Sequence, residues 1–596
     1  MNEVAEKLPS VYEYIIQEEN AWRTARVPLA SNWRDWNMFE HIDRSFTLKN
    51  SRFYLGNQDY TRPFNNIILP IANVNYRTEG FDVKDVQIYV DNPDNYHKSF
   101  LARKMHNWWA KDNAIDTAID ESVESYFDYG LALVKNVNEA RPEVIQLQQI
   151  AFCDQTDIMS GPICLKHSYS ISELLDMKGR WDDAEIDKAV LMSRSTKDAD
   201  SKDGDTTKTP GKYVEVYELH GTFPESWLGE EKLGENWKDT GKYSPQIHII
   251  SYYTNPTDKT KNGVCLFKGK EPNPVFKALK RDSVFGRACG RGGIEELFHP
   301  QIWTNYSELH IQQMLEAVSK VILKTNKKKI TALNNWKNMK QGQILDLDGD
   351  GTLEQLVLQP INKAHFDNSI NKWEQVARTI GSASDPALGL NPTSGTPLGT
   401  TEIVTSQGIG IHDYRQGKIV DFWAEIYRDW GLKHFATELN KGSKWLDELS
   451  VDELQEVAEK VSTKEANKKI KRMILAGKSL TQQEADQFRS VIKEEFMKGG
   501  EKRFLEILKD EFKDPLDVEI SIAGKQKNLA EVVSKLNSVF RTLFTPGAIQ
   551  ALQQSPELGK LLNQILEASG MNSINFASAL PAMGEANQLE ELPVTA

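Results

Sequence analysis

Apolar residues recur at helical spacing through several long parts of the chain. Residues 98–132 predict two helices that end near Gly130, and residues 446–514 predict further helices with strongly charged faces. Residues 361–381 predict an amphipathic helix, because their apolar positions lie three or four residues apart. Those positions are Phe366, Ile370, Trp373, Ala377 and Ile380.

Two longer helical patterns lie on either side of this segment. The first begins at Gly293 and predicts a helix through about Thr325, with Pro300 tolerated near the first turn or at a kink. Its apolar positions are Ile302, Tyr306, Leu309, Met314, Val318 and Val321. The second covers 401–443, where three glycines each weaken a helix by up to about 1 kcal/mol relative to alanine. Gly408, Gly410 and Gly417 therefore favour a kink or a late start of that helix.

Alternating apolar and polar residues predict strands, mostly in the first half of the chain. Val86, Ile88 and Val90 alternate in this way after Gly80, and further strand-like runs follow. These runs are LALVKNV, PEVIQLQQI, YVEVYELHGTF, QIHIISYYT and, at 515–523, PLDVEISIA. The polar run at 195–212 cannot bury apolar area and predicts an exposed excursion. The fold class predicted from these patterns is α+β.

The segment between Arg378 and Arg415 contains 36 residues and no Lys or Arg, although 72 of the 596 residues are basic. It is rich in Gly, Pro, Ser and Thr. Phosphate affinity is built from Lys and Arg contacts, so a polyanion could slide past such a surface without being held. The last 36 residues, after Lys560, also lack Lys and Arg. The informative feature is therefore the position of the first segment between two predicted helices.

Length and composition place limits on the architecture. At 596 residues the chain is too long for one hydrophobic core, and roughly two to four domains are expected. The 14 Trp are compatible with a Trp-rich core and with an interface-rich oligomer, since large aromatic residues are favoured in both. The net charge of −13 argues against a scaffold that grips nucleic acid electrostatically, but not against one that surrounds it.

The four cysteines have no close pairing and predict free thiols in a protein made in a reducing cytoplasm. They are Cys153, Cys164, Cys265 and Cys289. No Cys/His pattern indicates a zinc site. The N-terminal residues include acids and lack the apolar core of a signal peptide. No run approaches the ~18 apolar residues of a membrane span, so none is predicted.

The sequence lacks the common motifs of catalytic and nucleotide-binding sites, so no catalytic residue, metal or cofactor is predicted. The patterns G-x-x-x-x-G-K-[ST], G-x-S-x-G and H-E-x-x-H are absent. GRACGRGG, at 286–293, has the wrong spacing for a phosphate loop and predicts a turn or a close backbone approach at a helix start. DLDGDGTLE, at 346–354, begins like a calcium loop but has Val357 where a bidentate Glu is needed. A tight β-hairpin that turns on Asp-Gly is therefore favoured there.

Lys327, Lys328 and Lys329 form the one sharp basic cluster of the sequence. A solvated helix end would explain them, because cations complement the dipole at a helix C-terminus. A contact with phosphate or with an acidic partner is the alternative explanation, and both interpretations stay open at this point.

The order of the predicted elements is more informative than any single motif. An α/β N-terminal half, which includes RPFNNIILPIANVNYRTEGF, leads into GRGGIEELFHPQIWTNYSELHIQQMLEAV. A small β unit, a returning helix, a small-residue loop, a long helix and a helical C-terminal region follow. Over most of residues 60–520 this resembles the portal proteins of tailed bacteriophages. The resemblance implies an α/β wing, a two-helix stem, a small β-containing clip, a kinked long helix and an α-helical crown.

The family's segments are carried over onto this chain in order. They are the wing (1–292), first stem helix (293–325), clip (326–360), second stem helix (361–381), tunnel loop (382–400), long wing helix (401–443) and crown with C-terminal helices (444–596). The last of these is longer and more charged than a minimal portal needs.

The resemblance also implies a structural protein of the virion and not an enzyme. Portal proteins are made in the host cytoplasm and form a dodecameric ring at one vertex of the shell of major capsid protein. Double-stranded DNA passes through the ring, which docks the terminase large subunit during packaging and the head–tail adaptor afterwards. Neither a cofactor nor a membrane is implied. Another virion structural protein, such as a tail adaptor or a scaffold-like component, is the main alternative, and a nucleic-acid-processing enzyme is the other.

Three groups of residues would carry the function that the resemblance implies. The tunnel-loop group would face DNA and contains Ser382, Ser384, Asp385, Asn391, Thr393, Ser394 and Thr396. The clip group would contact the motor or the adaptor and contains Lys327, Lys328, Lys329, Asp346, Asp348 and Asp350. The stem group would pack helix to helix within and between subunits and contains Ile302, Leu309, Val318, Phe366, Ile370 and Trp373.

Overall fold

The computed structural model of the chain is a mixed α and β protein in the part that it describes. That part consists of residues 7–8, 10–27, 36–50, 64–89, 96–137, 141–198, 213–229, 237–238, 242–253, 263–319, 322–326, 352–356, 364–383, 398–435, 451–477, 481–498 and 519–522. Among these residues, no helix combines the length and the apolar character that crossing a membrane would require.

The helices are numbered in chain order. They are α1 (Val11–Thr24), α2 (Met38–Asn50), α3 (Ile68–Glu79), α4 (Tyr96–Asp112), α5 (Ile115–Tyr129), α6 (Ile171–Asp176), α7 (Asp183–Asp198), α8 (Gly293–Ser319), α9 (Ala364–Ile380), α10 (Leu398–Ile426), α11 (Val451–Leu475) and α12 (Gln482–Lys498). A π-helical turn, Tyr427–Gly431, directly follows α10.

The strands are numbered in the same way. They are β1 (Lys7–Leu8), β2 (Val86–Tyr89), β3 (Leu131–Val137), β4 (Arg141–Val144), β5 (Ile150–Phe152), β6 (Ile163–Tyr169), β7 (Val214–Pro224), β8 (Trp237–Lys238), β9 (Tyr243–Tyr253), β10 (Gly263–Lys270), β11 (Phe276–Lys280), β12 (Ile322–Thr325), β13 (Leu353–Leu356) and β14 (Glu519–Ile522).

The chain divides into two compact units. The larger unit contains Met1–Glu79, Asp120–Lys135 and Val144–Arg415, and the smaller unit contains Gly80–Ile119, Asn136–Glu143 and Gln416–Ala596.

A five-stranded antiparallel sheet of order β10-β9-β7-β6-β5 forms the centre of the larger unit. Because side chains alternate along a strand, β7 contributes to two cores on opposite faces. Tyr217 and Leu219 pack in one core with the apolar side of α1. Val214 and Val216 pack in the other core with α6 and α7. Strand β11 and residues 131–135 of β3, which pair antiparallel, also belong to the larger unit.

The smaller unit is built around buried aromatic side chains. Trp109 of α4 is fully buried and lies 5.4 Å from the ring of Tyr427 and 5.9 Å from that of Phe435, measured between centroids. Helices α11 and α12 are joined by a hydrogen bond of 2.9 Å from Arg489 to Asn467. Strands β14 and β2 pair antiparallel. The prediction of a strand within 515–523 is confirmed.

Glycines allow two backbone segments of the larger unit to approach closely. Gly130, with φ of 74°, follows α5, and a Cβ atom there would lie 2.5 Å from the carbonyl oxygen of Gly290. A Cβ atom on Gly293 would lie 2.3 Å from the ring of Phe127. The predicted close backbone approach at the start of the helix, in GRACGRGG, is therefore confirmed.

Several element boundaries differ from the sequence prediction. The helix from Gly293 ends at Ser319 and not at about Thr325, because 322–325 form β12 and pair with 353–356. Pro300 lies inside α8. The PEVIQLQQI run is interrupted by a 3₁₀ turn between β4 and β5. Helix α7 extends into the polar run as far as Asp198.

The long helix α10 begins at Leu398, earlier than predicted. Gly408, Gly410 and Gly417 lie inside α10, and the helical irregularity that the structure describes is the π turn at 427–431. A π turn inserts one extra residue into the helical repeat and is a recognised cause of helix bending.

Candidate functional site

The helices α8 and α9 pack side by side in the larger unit. The ring centroids of Trp303 and Trp373 lie 6.2 Å apart, and those of His310 and Phe366 lie 6.3 Å apart. Between these two pairs, the hydroxyl oxygens of Ser307 and Ser369 lie 3.3 Å apart. Because the residue numbers rise along α8 as they fall along α9, the two helices run antiparallel. The Trp303 and Trp373 rings are stacked, with 10° between their planes.

A small β unit lies in the chain between these two helices. Strand β12 follows α8, strand β13 precedes α9, and the two pair antiparallel from Ile322↔Leu356 to Thr325↔Leu353. The backbone N–H of Thr352 donates a 3.0 Å hydrogen bond to the side-chain oxygen of Asn326. The helix–strand–strand–helix order that the sequence predicts for this region is therefore present in the described residues.

Large apolar side chains of the helix pair are exposed to solvent. Leu315 of α8 is 54 % exposed, and Trp303 and Tyr306 of the same helix are 46 % and 43 % exposed. Ile380, at the end of α9, is also exposed. Aromatic residues are enriched in surfaces that contact another protein, whereas single exposed aliphatic residues are common on many surfaces.

The base of α8 is bound to the segment that precedes α3. The side-chain oxygen of Gln301 accepts a 2.9 Å hydrogen bond from the backbone N–H of Ile67, and its nitrogen donates to the carbonyl oxygen of Asn65 at 2.6 Å. The side-chain oxygen of Asn305 accepts from the backbone N–H of Asn65 at 2.9 Å. The segments RPFNNIIL and GRGGIEELFHPQ therefore contact each other through Gln301.

A buried ion cluster lies at the C-terminal end of α3. The carboxylate of Glu79 is fully buried and accepts two hydrogen bonds from the guanidinium of Arg281, at 2.5 and 2.8 Å. His412 of α10 lies 3.2 Å from the same carboxylate through Nδ1. Arg415 lies 3.9 Å from it and 2.7 Å from Asp282. Removing a partner from a buried pair of this kind leaves an uncompensated charge, so the cluster fixes the elements that contribute to it.

The same cluster holds the residues that follow α9. The carbonyl oxygen of Ser382, whose φ is 53°, lies 3.1 Å from Nε2 of His412. Asn75 donates to the carbonyl oxygen of Gly381 at 3.1 Å, and a Cβ atom on Gly381 would lie 2.3 Å from Ile71. The first residues after α9 are thus held in place by hydrogen bonds and packing, and they belong to the segment without Lys or Arg.

The predicted tunnel-loop and clip residues are described only in small part. Ser382 is half-buried at the end of α9, and 398–400 are the first residues of α10 instead of part of a loop. The other tunnel-loop residues, Ser384, Asp385, Asn391, Thr393, Ser394 and Thr396, lie outside the described residues. So do all six clip residues, Lys327, Lys328, Lys329, Asp346, Asp348 and Asp350, together with the predicted hairpin turn.

The predicted stem residues lie on α8 and α9. Trp373 and Phe366 face α8 through the contacts given above, and Ile370 is buried. Ile302 packs against the core formed by α2, α3, α8 and α9, and Leu309 is half-buried. The side chain of Val318 lies outside the described set.

A second buried cluster of ionisable groups lies in the larger unit and was not predicted. We call it the Glu218 cluster, and it consists of Lys135, His167, Glu218, His220, His248 and Glu271. The ammonium of Lys135 contacts Oε1 of Glu218. The ring nitrogens Nε2 of His220 and His248 lie 3.0 and 2.7 Å from that same oxygen. His167 contacts the other oxygen at 2.8 Å.

Within the described residues, Glu218, His220 and His248 are the group whose donor atoms are close enough together to suggest a metal site. The ring geometry does not fit one ion. The two imidazoles are stacked with centroids 4.0 Å apart and planes 20° from parallel, whereas a metal must lie near the plane of each ring that binds it. Lys135 also brings a positive charge to the same carboxylate oxygen. The donor set therefore favours a network of ion pairs over a metal centre.

The four cysteines are free thiols, as predicted. Burial raises the pKa of Cys289 to about 12 and that of Cys265 to about 11, and it also raises the pKa values of Cys153 and Cys164. Because the thiolate is the reactive form, these side chains are suited to packing and not to nucleophilic chemistry.

Comparison with known proteins adds no relationship to these observations. No protein-family model matches the chain, and no curated protein matches it either.

Proposed function

We propose that this chain is a portal protein of a tailed bacteriophage. In this proposal many copies assemble into a ring at one vertex of the capsid, and double-stranded DNA is packaged and ejected through the channel at its centre. The observation that carries the proposal is the antiparallel pair α8–α9 joined through the β12–β13 unit, because a stem of two helices with a small β clip between them is the arrangement that the resemblance implies.

The exposed side chains of the helix pair support assembly into an oligomer. Trp303, Tyr306 and Leu315 are in contact with water in the monomer. Covering them in an assembly would contribute a favourable free energy of roughly 25 cal/mol for each Å² of apolar surface removed from water. Neighbouring copies of α8 and α9 in a ring would cover these side chains. The resemblance implies twelve copies, and the proposal adopts that number.

The segment without Lys or Arg supports passage of DNA instead of binding. Its first residues end α9, and its residues 398–414 form the first part of α10. In a ring the segment would be repeated once in each copy, so a duplex in the centre would meet no array of cations to which it could bind tightly. The net charge of −13 in each copy acts in the same direction.

The partners in this proposal are those of the packaging and tail-joining steps. The clip would contact the terminase large subunit during packaging and a head–tail adaptor afterwards, and the major capsid protein would surround the ring. ATP hydrolysis would belong to the terminase. The protein would be made in the host cytoplasm and would reside in the virion.

Electron microscopy of the purified full-length protein tests the proposal directly. Views down the particle axis are expected to show a closed ring with a central hole that is wide enough for duplex DNA. Monomers, open filaments or compact particles without a hole would overturn the portal assignment. A closed ring that assembles onto purified tails, but not into capsid shells, would favour the alternative of a tail adaptor.

A further inference from the structure

The Glu218 cluster connects two sheets of the larger unit and is independent of the proposed function. Lys135 belongs to β3, His167 to β6, Glu218 and His220 to β7, and His248 to β9, while Glu271 directly follows β10. The ion pair of Lys135 with Glu218 therefore attaches the sheet that contains β3 to the five-stranded sheet. His220 also meets the ring of Phe276, on β11, at 5.0 Å between centroids.

His248 lies between two carboxylates, those of Glu218 and Glu271. Its Nδ1 lies 2.9 Å from Glu271, and its Nε2 lies 2.7 Å from Glu218. The Nδ1 contact is a hydrogen bond, whereas Nε2 has no hydrogen-bond partner among the described residues, so the contact of Nε2 with Glu218 is an ion pair that depends on a positive charge on the ring. Burial opposes the charge on the ring, but the two carboxylates prevail and raise the pKa of His248 above its usual value.

His220 is stacked on His248 but has the opposite tendency. Burial lowers the pKa of His220 to about 4, against the opposing effect of its hydrogen bond to Glu218. A charge on His220 would also lie close to the charges of His248 and Lys135. The described geometry therefore suits a neutral His220 beside a charged His248.

We propose that the Glu218 cluster is a proton-sensitive clasp, which holds β3 against the five-stranded sheet while His248 is charged and His220 is neutral. In that state Lys135 and His248 bring positive charge to Glu218 and Glu271, and His167 lies against the second oxygen of Glu218. A proton added to His220 brings a further positive charge into the same site. A proton lost from His248 removes the positive charge that faces the two carboxylates. Either change loosens the contact between the sheets.

The two histidines act over different ranges of pH. The contribution of His220, whose pKa is lower in the folded protein, is complete above the unfolded pKa of about 6.5 and is lost as the pH falls toward 4. The contribution of His248, whose pKa is higher in the folded protein, is complete below about pH 6.5 and is lost as the pH rises through the folded value. The clasp is therefore strongest at about pH 6.5, because the His220 contribution is lost at lower pH and the His248 contribution at higher pH.

Thermal unfolding of the full chain tests the clasp when it is measured at one heating rate and at several pH values from 4.5 to 8.5. The variants are His220→Gln, His248→Gln and, as a control, His365→Gln. His365 is exposed at the start of α9. When the pH is lowered from 6.5 to 4.5, the unfolding midpoint of the wild type is expected to fall, and that of His220→Gln is expected to fall less. The difference between the two decreases should be at least about 2 °C. His248→Gln is expected to unfold below the wild type at pH 6 and to approach it at pH 8.5, while the control follows the wild type throughout.

Curves for His220→Gln and His248→Gln that run parallel to the wild-type curve would overturn the proposal. If either variant does not fold, hydrogen exchange of the wild type gives the answer instead. After correction for intrinsic exchange rates, peptides that cover 131–137 and 214–224 should be less protected at pH 4.5 than at pH 6.5. Unchanged protection would contradict the clasp.

Addition of Co²⁺ at pH 7 provides a further check. A visible d–d absorption band that is lost in His248→Gln would show that the cluster is a metal site and would also overturn the proposal.

Discussion

Gly293 begins α8 at a point where no side chain fits. A Cβ atom there would lie 2.3 Å from the ring of Phe127, which is itself buried in the core of α2, α3, α8 and α9. The ring cannot move away without disturbing that core. The residue is therefore fixed by packing, although nothing in its conformation excludes an alanine.

We expect Gly293→Ala to destabilise the protein by about 1–3 kcal/mol, because overpacking forces the surrounding side chains from their preferred positions. Gly417→Ala is the matched control, since a Cβ atom on Gly417 meets nothing within 4 Å inside α10. That change should stabilise the helix by up to about 1 kcal/mol. Urea unfolding followed by circular dichroism measures both changes. A Gly293→Ala protein as stable as the wild type would show that the core yields more than the structure suggests.

Arg281 provides a second test at the scale of single residues. Arg281→Met leaves the fully buried carboxylate of Glu79 without its bidentate partner and should destabilise the protein by about 3–5 kcal/mol. Lys178→Ala, which removes an exposed ion pair with Asp187, should change stability by less than about 1 kcal/mol. Urea unfolding distinguishes the two variants. The double change Glu79→Gln with Arg281→Met should recover part of the lost stability. Equal effects of Arg281→Met and Lys178→Ala would contradict a structural role for the ion cluster around Glu79.

Individual residues were predicted well where the signal is local and poorly where it is not. The glycine-rich run before α8 was recognised from its spacing alone. The Glu218 cluster was missed because its members come from β3, β6, β7, β9 and the end of β10. Its one local sign was Glu218 and His220 two residues apart in a strand, which places both side chains on one face. Nothing in the sequence shows that Lys135 and His248 meet them.

At the scale of elements, the antiparallel pair of α8 and α9 has one face on the core and another in water. Gln301 and Asn305 attach the base of α8 to the segment before α3. Leu315, farther along the helix, is more than half exposed. The pair is thus anchored at one end and presents apolar side chains beyond it.

Leu315→Asp tests whether this surface joins copies of the chain. A carboxylate placed in an apolar interface must be desolvated, so we expect the dissociation constant of the oligomer to rise at least about tenfold, the equivalent of about 1.4 kcal/mol. Leu191→Asp, at an exposed leucine of α7, is the control and should assemble like the wild type. Mass photometry over a dilution series measures both. Assembly of Leu315→Asp at wild-type concentrations would exclude this part of α8 from the interface.

The elements themselves were largely predictable, and the errors have physical causes. Helix α9 was found because its apolar residues keep a strict helical period. The end of α8 was placed too late because Val318, Val321 and Leu323 continue an apolar pattern into β12. Short runs of β-branched residues fit either structure, and what decides between them here is the pairing of β12 with β13 across more than twenty intervening residues.

At the scale of the whole molecule, the distribution of charge is the feature on which the proposed function depends. The basic residues are spread through the chain except for the segment between Arg378 and Arg415 and the last residues. In a ring, this gap would be repeated in every copy. A cation introduced there should therefore have an effect that the same change elsewhere does not have.

We expect Ser394→Lys to increase the retention of DNA by the assembled ring. Each lysine that contacts a phosphate should steepen the dependence of log affinity on log salt concentration by about 0.9. Ser172→Lys, at an exposed serine of α6, is the matched control and should leave the salt dependence unchanged. Fluorescence anisotropy of labelled duplex over a salt series measures the slope. Identical slopes for both variants would show that the segment does not face DNA.

The burial of the native thiols, which is complete for three of them and partial for Cys265, has a practical consequence for such experiments. Maleimide reacts with the thiolate, and an introduced surface cysteine ionises far more readily than side chains whose pKa burial has raised to about 11 or about 12. A single cysteine placed at position 394 should therefore accept a fluorophore while the native four stay unmodified. Dyes could then follow the movement of a passing duplex in real time, without the need to engineer a cysteine-free background.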